Sequence, residues 1–438
     1  MSRFLRALFM SVALSSVGSA QSESPLDSLV ARAVDVSPLV AAATARADAA
    51  AARVAPAGAR PDPMLMAGVQ NLPAGNPGFA DFMTMKMIGV SQTIPFPGKL
   101  SARVSVAEEE LAAARAEVLG ARRSVARQVR LLYYDLAFAT RALDVVTRTQ
   151  GLVSAMIPVT EGRYASGSGS QSEILRVRIE TARLADEAAV LTEEKRATLA
   201  ELNTLLGRSA DTPVGEAEIP AAIARAAVGD SARSITFASA TLGARVKDSP
   251  IPSVDSLFAL AVRNDAVLQV HEAMMRAQRA RAALARRERL PDIDISLQYG
   301  QRNGFEDMVT AVVSVPIPLQ KRRKQDAEVI AADADLRALD AEHMVSLNEI
   351  RTKLARLDGA LERDRAQLAL YVTAILPQAR ASLASANAGY QAGRVEFATL
   401  IDAQALLFNY ETDYYRTLTD FAKALAELEE QTGRTLIQ

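Results

Sequence analysis

Methionine is the residue type whose spacing most directly suggests chemistry in this chain. Five methionines recur at alternate positions of two strand-like stretches: Met64, Met66, Met83, Met85 and Met87. Thioethers are soft ligands for copper or silver, and alternate residues of a strand share one face. Methionine is also an ordinary apolar filler, and a lipid-facing stripe would have the same pattern. We therefore predict no metal site from the spacing alone.

The other reactive side chains do not form the pattern of an enzyme. His271 and His343 are the only histidines and stand alone on helical stretches, so we expect surface or packing roles for them. The segment GSGSQS at 167–172 lacks the spacing of a phosphate-binding loop, and no HExxH motif is present. The sequence predicts no catalytic residue, no cofactor and no enzymatic activity.

Composition and charge favour long packed helices. The chain has 438 residues, 49% of them apolar and only 5% aromatic, with no tryptophan. Lysine and arginine number 50 against 51 aspartates and glutamates, so no net charge attracts nucleic acid. The absence of cysteine excludes disulfides, thiolate metal sites and a lipid-bearing cysteine.

Residues 1–20 have the composition of a secretory signal peptide. Arg3 and Arg6 precede the apolar stretch 7–14, and small residues, Gly18 and Ala20, follow it. We predict that this segment is removed and that the mature chain is exported. A retained amphipathic or membrane-spanning N-terminus is the alternative, but the apolar stretch is shorter than the ~20 residues that span a bilayer.

The chain contains two copies of one large unit. DSLVARAV at 27–34 returns as DSLFALAV at 255–262, and YASGSGSQSEIL from Tyr164 aligns with YQAGRVEFATLI from Tyr390 at an offset of 226. A period of this length is far beyond that of solenoid repeats. The sequence therefore indicates a tandem duplication of a sizeable unit.

The boundaries of the copies follow from this alignment. We assign the first repeat to 21–207 and the second to 254–438. Residues 208–253, rich in Ala, Ser, Gly and Pro, are the linker between them, and we expect this linker to carry little regular core structure.

Each copy begins with a helix that leads into a β-hairpin. The helical stretches are about 26–56 and 254–289, and the hairpins are about 63–94 and 292–316. Prolines end each hairpin because they lack an N–H donor for the ladder and fix φ near −65°. We predict that four prolines mark the junctions between hairpin and helix: Pro95, Pro97, Pro316 and Pro318.

A very long helix follows each hairpin. In the first copy it runs from about residue 100 to 164, which corresponds to roughly 95 Å. A seven-residue apolar seam supports it: Val104, Leu111, Val118, Val125, Leu132, Ala139, Val146 and Val153. The second copy has its own seam: Leu347, Leu354, Leu361, Leu368 and Ile375. Periodicity alone allows either a plain antiparallel coiled coil or a ring of helices.

Two hairpins supply four strands, too few to close a barrel from one chain. The smallest single-chain barrels have about eight strands, and an open sheet leaves unpaired edges. Either several chains share one barrel, or the hairpins pack on a soluble core. For an exported protein, we expect three chains to share one closed barrel of twelve strands.

These features together resemble the TolC-like outer-membrane efflux proteins, over nearly the whole mature chain. The most specific segments are IPFPGK after a strand, LPQARASLASANAGYQAGRVEFATLIDAQ at 376–404, and the closing segments LNTLLGR and LEEQTGR. PDPMLMAGVQNLP and MIGVSQTIPFPGK look most like the members that serve heavy-metal exporters.

The resemblance implies a fold, a location and a set of partners. The fold would be mainly α with a small β part: an internally duplicated, long-helix coiled-coil α-barrel, with hairpins that form a trimeric 12-stranded membrane β-barrel. The homotrimer would lie in the outer membrane, contact its lipid and extend into the periplasm. There it would meet a periplasmic adaptor and an inner-membrane pump, of the resistance-nodulation-division type, as the passive exit duct of a tripartite efflux system. The alternative is an exported periplasmic coiled-coil adaptor or scaffold.

The resemblance also implies roles for residues near two helix turns. Tyr164-x-x-Gly167 and Tyr390-x-x-Gly393 mark these turns, because Gly accepts the left-handed backbone that ends a helix. In the family these turns are the tips that contact the adaptor, which makes Tyr164, Gly167 and Gly393 contact candidates. A network of carboxylates, a tyrosine and an arginine closes the family's pore. By position, the gate candidates are Glu173, Tyr390, Arg394 and Asp402. The family often places the arginine one residue further on, where this chain has Val395.

Overall fold

The computed structural model describes residues 25–75, 78–228 and 251–437, and the predicted signal peptide lies outside them. The fold is mainly helical with one antiparallel sheet, as predicted. The first repeat has four helices and two strands: α1 (Pro25–Val36), α2 (Pro38–Gly58), β1 (Met64–Gln70), β2 (Met85–Ile94), α3 (Lys99–Ala165) and α4 (Gln171–Leu205). A short linker helix, α5, spans Ala221–Val228. The second repeat has the rest: α6 (Val254–Asn264), α7 (Ala266–Glu288), β3 (Ile293–Arg302), β4 (Met308–Ser314), α8 (Gln325–Leu370), a π-helical turn (Tyr371–Ile375), α9 (Leu376–Gln391) and α10 (Phe397–Thr432).

The helical stretch that opens each copy is two helices, where the sequence suggested one. In the first copy Ser37 caps α2 and Pro38 occupies its first turn. In the second copy the Asp265 carboxylate accepts hydrogen bonds from the N–H groups of Val267 and Leu268, at 2.9 and 3.0 Å. Both breaks come from a capping residue at aligned positions.

Helix α3 has 67 residues and is therefore roughly 100 Å long. Its predicted seam is buried in the half that leads away from the sheet, where Val125, Ala139 and Val153 are inaccessible. Helix α4 returns along it, and in the second copy α10 returns along α8 and α9. Each repeat is thus a long antiparallel helical hairpin that starts at the sheet.

The π-helical turn changes the phase of the second seam. The N–H of Leu376 bonds to the carbonyl of Tyr371, five residues back, so one extra residue enters the helix. As a result Leu376, and not the predicted Ile375, is buried beside Leu407. Pro377 explains the insertion, because it has no N–H to donate and its ring disfavours regular helix before it.

The expectation that the linker carries little core structure is wrong for its described part. Ala217, Ile223 and Ala227 are buried in the main core cluster, which also contains Leu257 and Phe421. Ile223 and Ala227 are four residues apart, so they share the buried face of α5. The sequence did not reveal this buried face, because two apolar residues one helical turn apart do not stand out in an alanine- and glycine-rich stretch.

The two hairpins join in a single sheet with strand order β1-β2-β3-β4, all antiparallel. The central ladder pairs β2 of the first copy with β3 of the second, from Met85 opposite Arg302 to Ile94 opposite Ile293. Among the described residues β1 and β4 have one strand neighbour each. The sheet is therefore open at both edges.

The strand register separates the sheet into a polar face and an apolar face. The polar face carries Ser91, Thr93, Asp294, Ser296, Gln298 and Thr310, together with the five strand methionines Met64, Met66, Met85, Met87 and Met308. The apolar face carries Leu65, Ile88, Val90, Leu297, Val309 and Val313, all of them exposed. Polar residues on the apolar face lie towards the strand ends: Lys86, Gln92 and Gln301.

The four prolines lie between strand and helix, but the two junctions differ in packing. In the first copy Lys99 is 4% exposed, and its Nζ lies 2.7 Å from the Asp292 carboxylate, which also accepts from the Phe96 N–H at 2.8 Å. In the second copy Ile317 is 79% and Leu319 is 91% exposed. The first junction is held by the second copy, and the second junction has an uncovered apolar surface.

In the described part of the chain, no single helix meets the length and hydropathy needed to cross a membrane. One bent pair, Leu26–Val36 with Pro38–Gly58 at 50°, meets both criteria by length and composition.

Candidate functional site

The two turns at the far ends of the helical hairpins form the candidate site. Gly167 and Gly393 have φ of 73° and 68°. The Ser168 N–H bonds to the Arg163 carbonyl at 2.9 Å, and the Arg394 N–H bonds to the Gly389 carbonyl at 2.8 Å. These are Schellman closures, in which the left-handed glycine satisfies the last carbonyls of the helix. The two turns, which align in sequence, therefore have the same backbone geometry.

Tyr390 connects the two turns. It is 2% exposed, and its ring packs edge-on against Phe397 with centroids 5.3 Å apart. Its hydroxyl donates to Glu173 Oε2 at 3.3 Å, and the Arg163 guanidinium lies 4.6 Å above its ring. We call Tyr390, Glu173 and Arg163 the tip cluster. The cluster joins the first copy to the second.

Burial raises the pKa of Tyr390, and the neighbouring Glu173 carboxylate raises it further. The phenol therefore keeps its proton at all physiological pH values. It acts as a permanent donor to Glu173, while the Arg163 cation above the ring contributes a cation–π attraction.

Arg163 is the member of this cluster that the sequence did not predict. Its Nη1 donates to the Tyr390 carbonyl at 3.1 Å and its Nη2 to the Ser168 carbonyl at 3.2 Å. The aligned residue in the second copy is Gly389, where a Cβ would lie only 2.5 Å from Val395 Cγ2. Comparison of the two copies therefore gave no reason to select Arg163. Its position just before Tyr164 in the turn motif is the one sequence feature that could have pointed to it.

The other predicted residues of the tip are not part of this cluster. Tyr164 is about half exposed, and Arg394 and Asp402 are exposed. Neither Arg394 nor Asp402 has a side-chain hydrogen bond or ion pair to another described residue. One chain brings together Glu173 and Tyr390 and leaves Arg394 and Asp402 free for contacts outside the chain.

The two histidines are neighbours, although they are far apart in sequence. Their ring centroids lie 6.4 Å apart, between α7 and α8, and His271 Nδ1 is 3.3 Å from Ser346 Oγ. Within the described ranges, no group of three or more His, Cys, Asp or Glu side chains is placed to hold a metal ion.

The fold and the two ends of the molecule define a class of protein. Long helical hairpins end in turns joined by the tip cluster, and they begin at a small sheet with one exposed apolar face and two open edges. This is the architecture of a protomer of an outer-membrane channel. The profile of the family described as outer membrane efflux protein matches residues 29–208 and 257–434. The chain belongs to this family, and the resemblance seen in its motifs is confirmed.

Individual relatives agree with the family. The cobalt-zinc-cadmium resistance protein CzcC of Cupriavidus metallidurans is 22% identical over 344 residues, which is 78% of this chain and 75% of that protein. The outer membrane protein VceC of Vibrio cholerae has a TM-score of 0.73 at 20% identity, over 94% of this chain and 96% of that chain. CusC, whose structures concern transmembrane channel formation, has a TM-score of 0.72 at 16% identity, over 94% and 92% of the two chains.

Proposed function

We propose that this chain is one of three identical subunits of an outer-membrane exit duct, which serves a tripartite efflux system and performs no enzymatic reaction. The observation that carries the proposal is the sheet. Its apolar face is exposed and suits contact with outer-membrane lipid, while its polar face suits a water-filled lumen. The unpaired N–H and C=O groups at its two edges are able to pair with another chain.

The open edges favour a closed assembly of several chains. Three copies of the four-stranded sheet give twelve strands, with β4 of one copy beside β1 of the next. The exposed Ile317 and Leu319 after β4 would be covered by the neighbouring copy at the same junction. The half-exposed residues of α3 near the sheet fit the same arrangement, since a ring of helices needs two packing faces.

The two turns are the proposed contact with a periplasmic adaptor, and through it with an inner-membrane pump of the resistance-nodulation-division type. Tyr164, Gly167 and Gly393 would supply this surface, since Tyr164 is exposed and both glycines are at the turns. The tip cluster would hold the turns in their closed positions, and Asp402 would contribute to an acidic ring that favours cations. Arg394 is free to pair with a carboxylate of a neighbouring subunit.

Metal cations are the proposed cargo. CzcC is named for resistance to cobalt, zinc and cadmium, and the segments around the first hairpin resemble the heavy-metal members of the family. The pump would supply both the driving force and most of the selection, because a wide water-filled pore sorts mainly by size and charge.

The test is gel migration of outer-membrane fractions in mild detergent, with and without heating. We expect an unheated band near three times the mass of the 46.8 kDa chain, which collapses to the monomer on heating. A variant with Val312→Pro in edge strand β4 should reduce the trimer band, because proline cannot supply a ladder donor. A monomer found only in the soluble periplasmic fraction would contradict the duct and favour a periplasmic scaffold.

A further inference from the structure

The described strands carry five methionines, all on the polar face of the sheet; Met83, which the sequence placed in a strand, lies in the turn before β2. Met64 and Met66 lie on β1, Met85 and Met87 on β2, and Met308 on β4; their neighbours on this face include Ser91, Gln298 and Thr310. The lipid-facing explanation of the methionine spacing is thereby removed. The sequence could not separate the two explanations, because both need the same alternation.

Three of these methionines converge around one glycine. Gly300 on β3 lies between Met87 on β2 and Met308 on β4 in the register. A Cβ on Gly300 would lie 2.5 Å from the Met85 sulfur, so Met85 Sδ occupies the space that a side chain at this position would fill. Met87 and Met308 lie on either side of β3, two strand spacings of about 4.8 Å apart, and Gly300 between them has no side chain to separate their long side chains.

Gly68 keeps the polar face open beside Met87. Met87 has Gly68 opposite it on β1 and Gly300 opposite it on β3. A Cβ on Gly68 would have nothing within 4 Å. Met85 is buried and fills the space beside Gly300, whereas Met308 is 40% exposed and Gly68 leaves open space beside Met87. The Met87 and Met308 side chains therefore have room to turn towards the Met85 sulfur.

We propose that Met85, Met87 and Met308 form a soft-cation site on the polar face, which takes Cu(I) or Ag(I). Three neutral thioethers match the preference of these cations for soft sulfur ligands and give little affinity for Zn²⁺ or Mg²⁺. Met66, diagonal to Met87, is a candidate fourth ligand. Neutral thioethers alone hold the ion weakly enough for it to leave.

The site adds soft monovalent cations to the proposed cargo, and it rests on the proposed function, because only a closed barrel makes the polar face a lumen. Three subunits would then present three such sites at one level of the pore. A passing soft cation would exchange between thioethers, while its entry and exit would not require a proton.

The test is titration of the purified trimer with AgNO₃ in chloride-free buffer, followed by calorimetry. We expect one Ag(I) per subunit at this site and at least a tenfold loss of affinity in the triple variant Met85→Leu, Met87→Leu, Met308→Leu. Leucine is close to methionine in volume, so packing is preserved. The matched control replaces three exposed methionines outside the site, Met83, Met274 and Met344, by leucine and should bind Ag(I) as the wild type does.

A second readout maps the ligands directly. Bound Ag(I) should slow peroxide oxidation of Met87 and Met308, measured by peptide mass spectrometry, and leave the exposed Met344 unprotected. Equal Ag(I) affinity in the triple variant, or equal affinity of the wild type for Zn²⁺, would overturn the site. A conducting trimer that binds no Ag(I) refutes this inference alone, whereas loss of the trimer and of conductance refutes the proposed duct.

Discussion

At the scale of single residues, the tip cluster joins the two copies through side chains of different kinds. Tyr390 was predictable because it repeats Tyr164 at the offset of the duplication, and Glu173 because it follows the first turn. Arg163 was not predictable by this comparison, since its aligned residue is a glycine. Comparison of the copies therefore identifies functional residues that both copies share, such as the turn tyrosines, and misses residues that only one copy has, such as Arg163.

Removing the Tyr390 hydroxyl should loosen the closed state. Tyr390→Phe leaves the ring against Phe397 but removes the hydrogen bond to Glu173. A hydrogen bond to a charged group contributes about 1.5 kcal/mol, so the open fraction should rise roughly tenfold. Single-channel recording in a planar bilayer measures this fraction. Tyr164→Phe is the control, and an equal effect there would argue against the role of the tip cluster.

Asp402 should contribute to cation preference. Asp402→Ala is expected to lower the cation-to-anion permeability ratio, because an exposed carboxylate attracts cations to the pore. The reversal potential under a KCl gradient gives the ratio. Asp402→Glu retains the charge and should retain the selectivity; an unchanged ratio in the alanine variant would exclude the acidic ring.

The ion pair at the first junction should make stability depend on acid pH. Burial raises the pKa of Asp292, but hydrogen bonds from Lys99 and from the Phe96 N–H outweigh it and hold the pKa below its usual range. A depressed pKa adds stability above the unfolded value, about 3.9, and this stability is lost as pH falls through the folded value.

The variant Asp292→Asn tests this dependence. It leaves Lys99 buried without its ion-pair partner and should cost about 3 kcal/mol at neutral pH. Thermal unfolding followed by circular dichroism should show a constant difference from the wild type above pH ~4 and a shrinking difference below it. A difference that persists into acid would mean that the ion pair is not its source.

At the scale of elements, regular periodicity was predictable and local changes of phase were not. The prolines before α3 and the Tyr164-x-x-Gly167 turn after it predicted its ends to within a residue or so, and the heptad seam predicted the unbroken helix between them. The π-helical turn moved the buried position from Ile375 to Leu376, since one inserted residue turns the following helix by about 100°. The buried face of α5 was missed because its apolar pair is only one turn long.

The left-handed glycines should be needed for the turns. Gly393→Ala places a Cβ where nothing lies within 4 Å, so its cost is purely conformational, about 1 kcal/mol. Gly359→Ala, in the middle of α8 and also without neighbours within 4 Å, should stabilise by about 1 kcal/mol. Opposite shifts of the unfolding temperature are the expected result. Equal shifts in the two variants would contradict the assigned turn geometry.

At the scale of the whole molecule, the absence of cysteine permits a direct test of the two sheet faces. Met87 and Ile88 are adjacent on β2 but lie on opposite faces. In the assembled channel a water-soluble maleimide should label Met87→Cys rapidly and leave Ile88→Cys unlabelled, because lipid excludes the reagent. Both variants should react after denaturation. Rapid labelling of Ile88→Cys in intact outer membranes would mean that the apolar face is not in lipid.

The central ladder of the sheet also sets an order for folding. Strands β2 and β3 are separated by about 200 positions, so this pairing can form only after both long helices of the first repeat, the linker and two further helices have been exported. Until then the first hairpin has an unpaired edge and an uncovered apolar face, and strands in this state are prone to aggregate. Maturation of the sheet is therefore limited by delivery of the second half of the chain, and a ribosome or translocase stalled in the linker would leave an orphan hairpin that only holding chaperones could keep soluble.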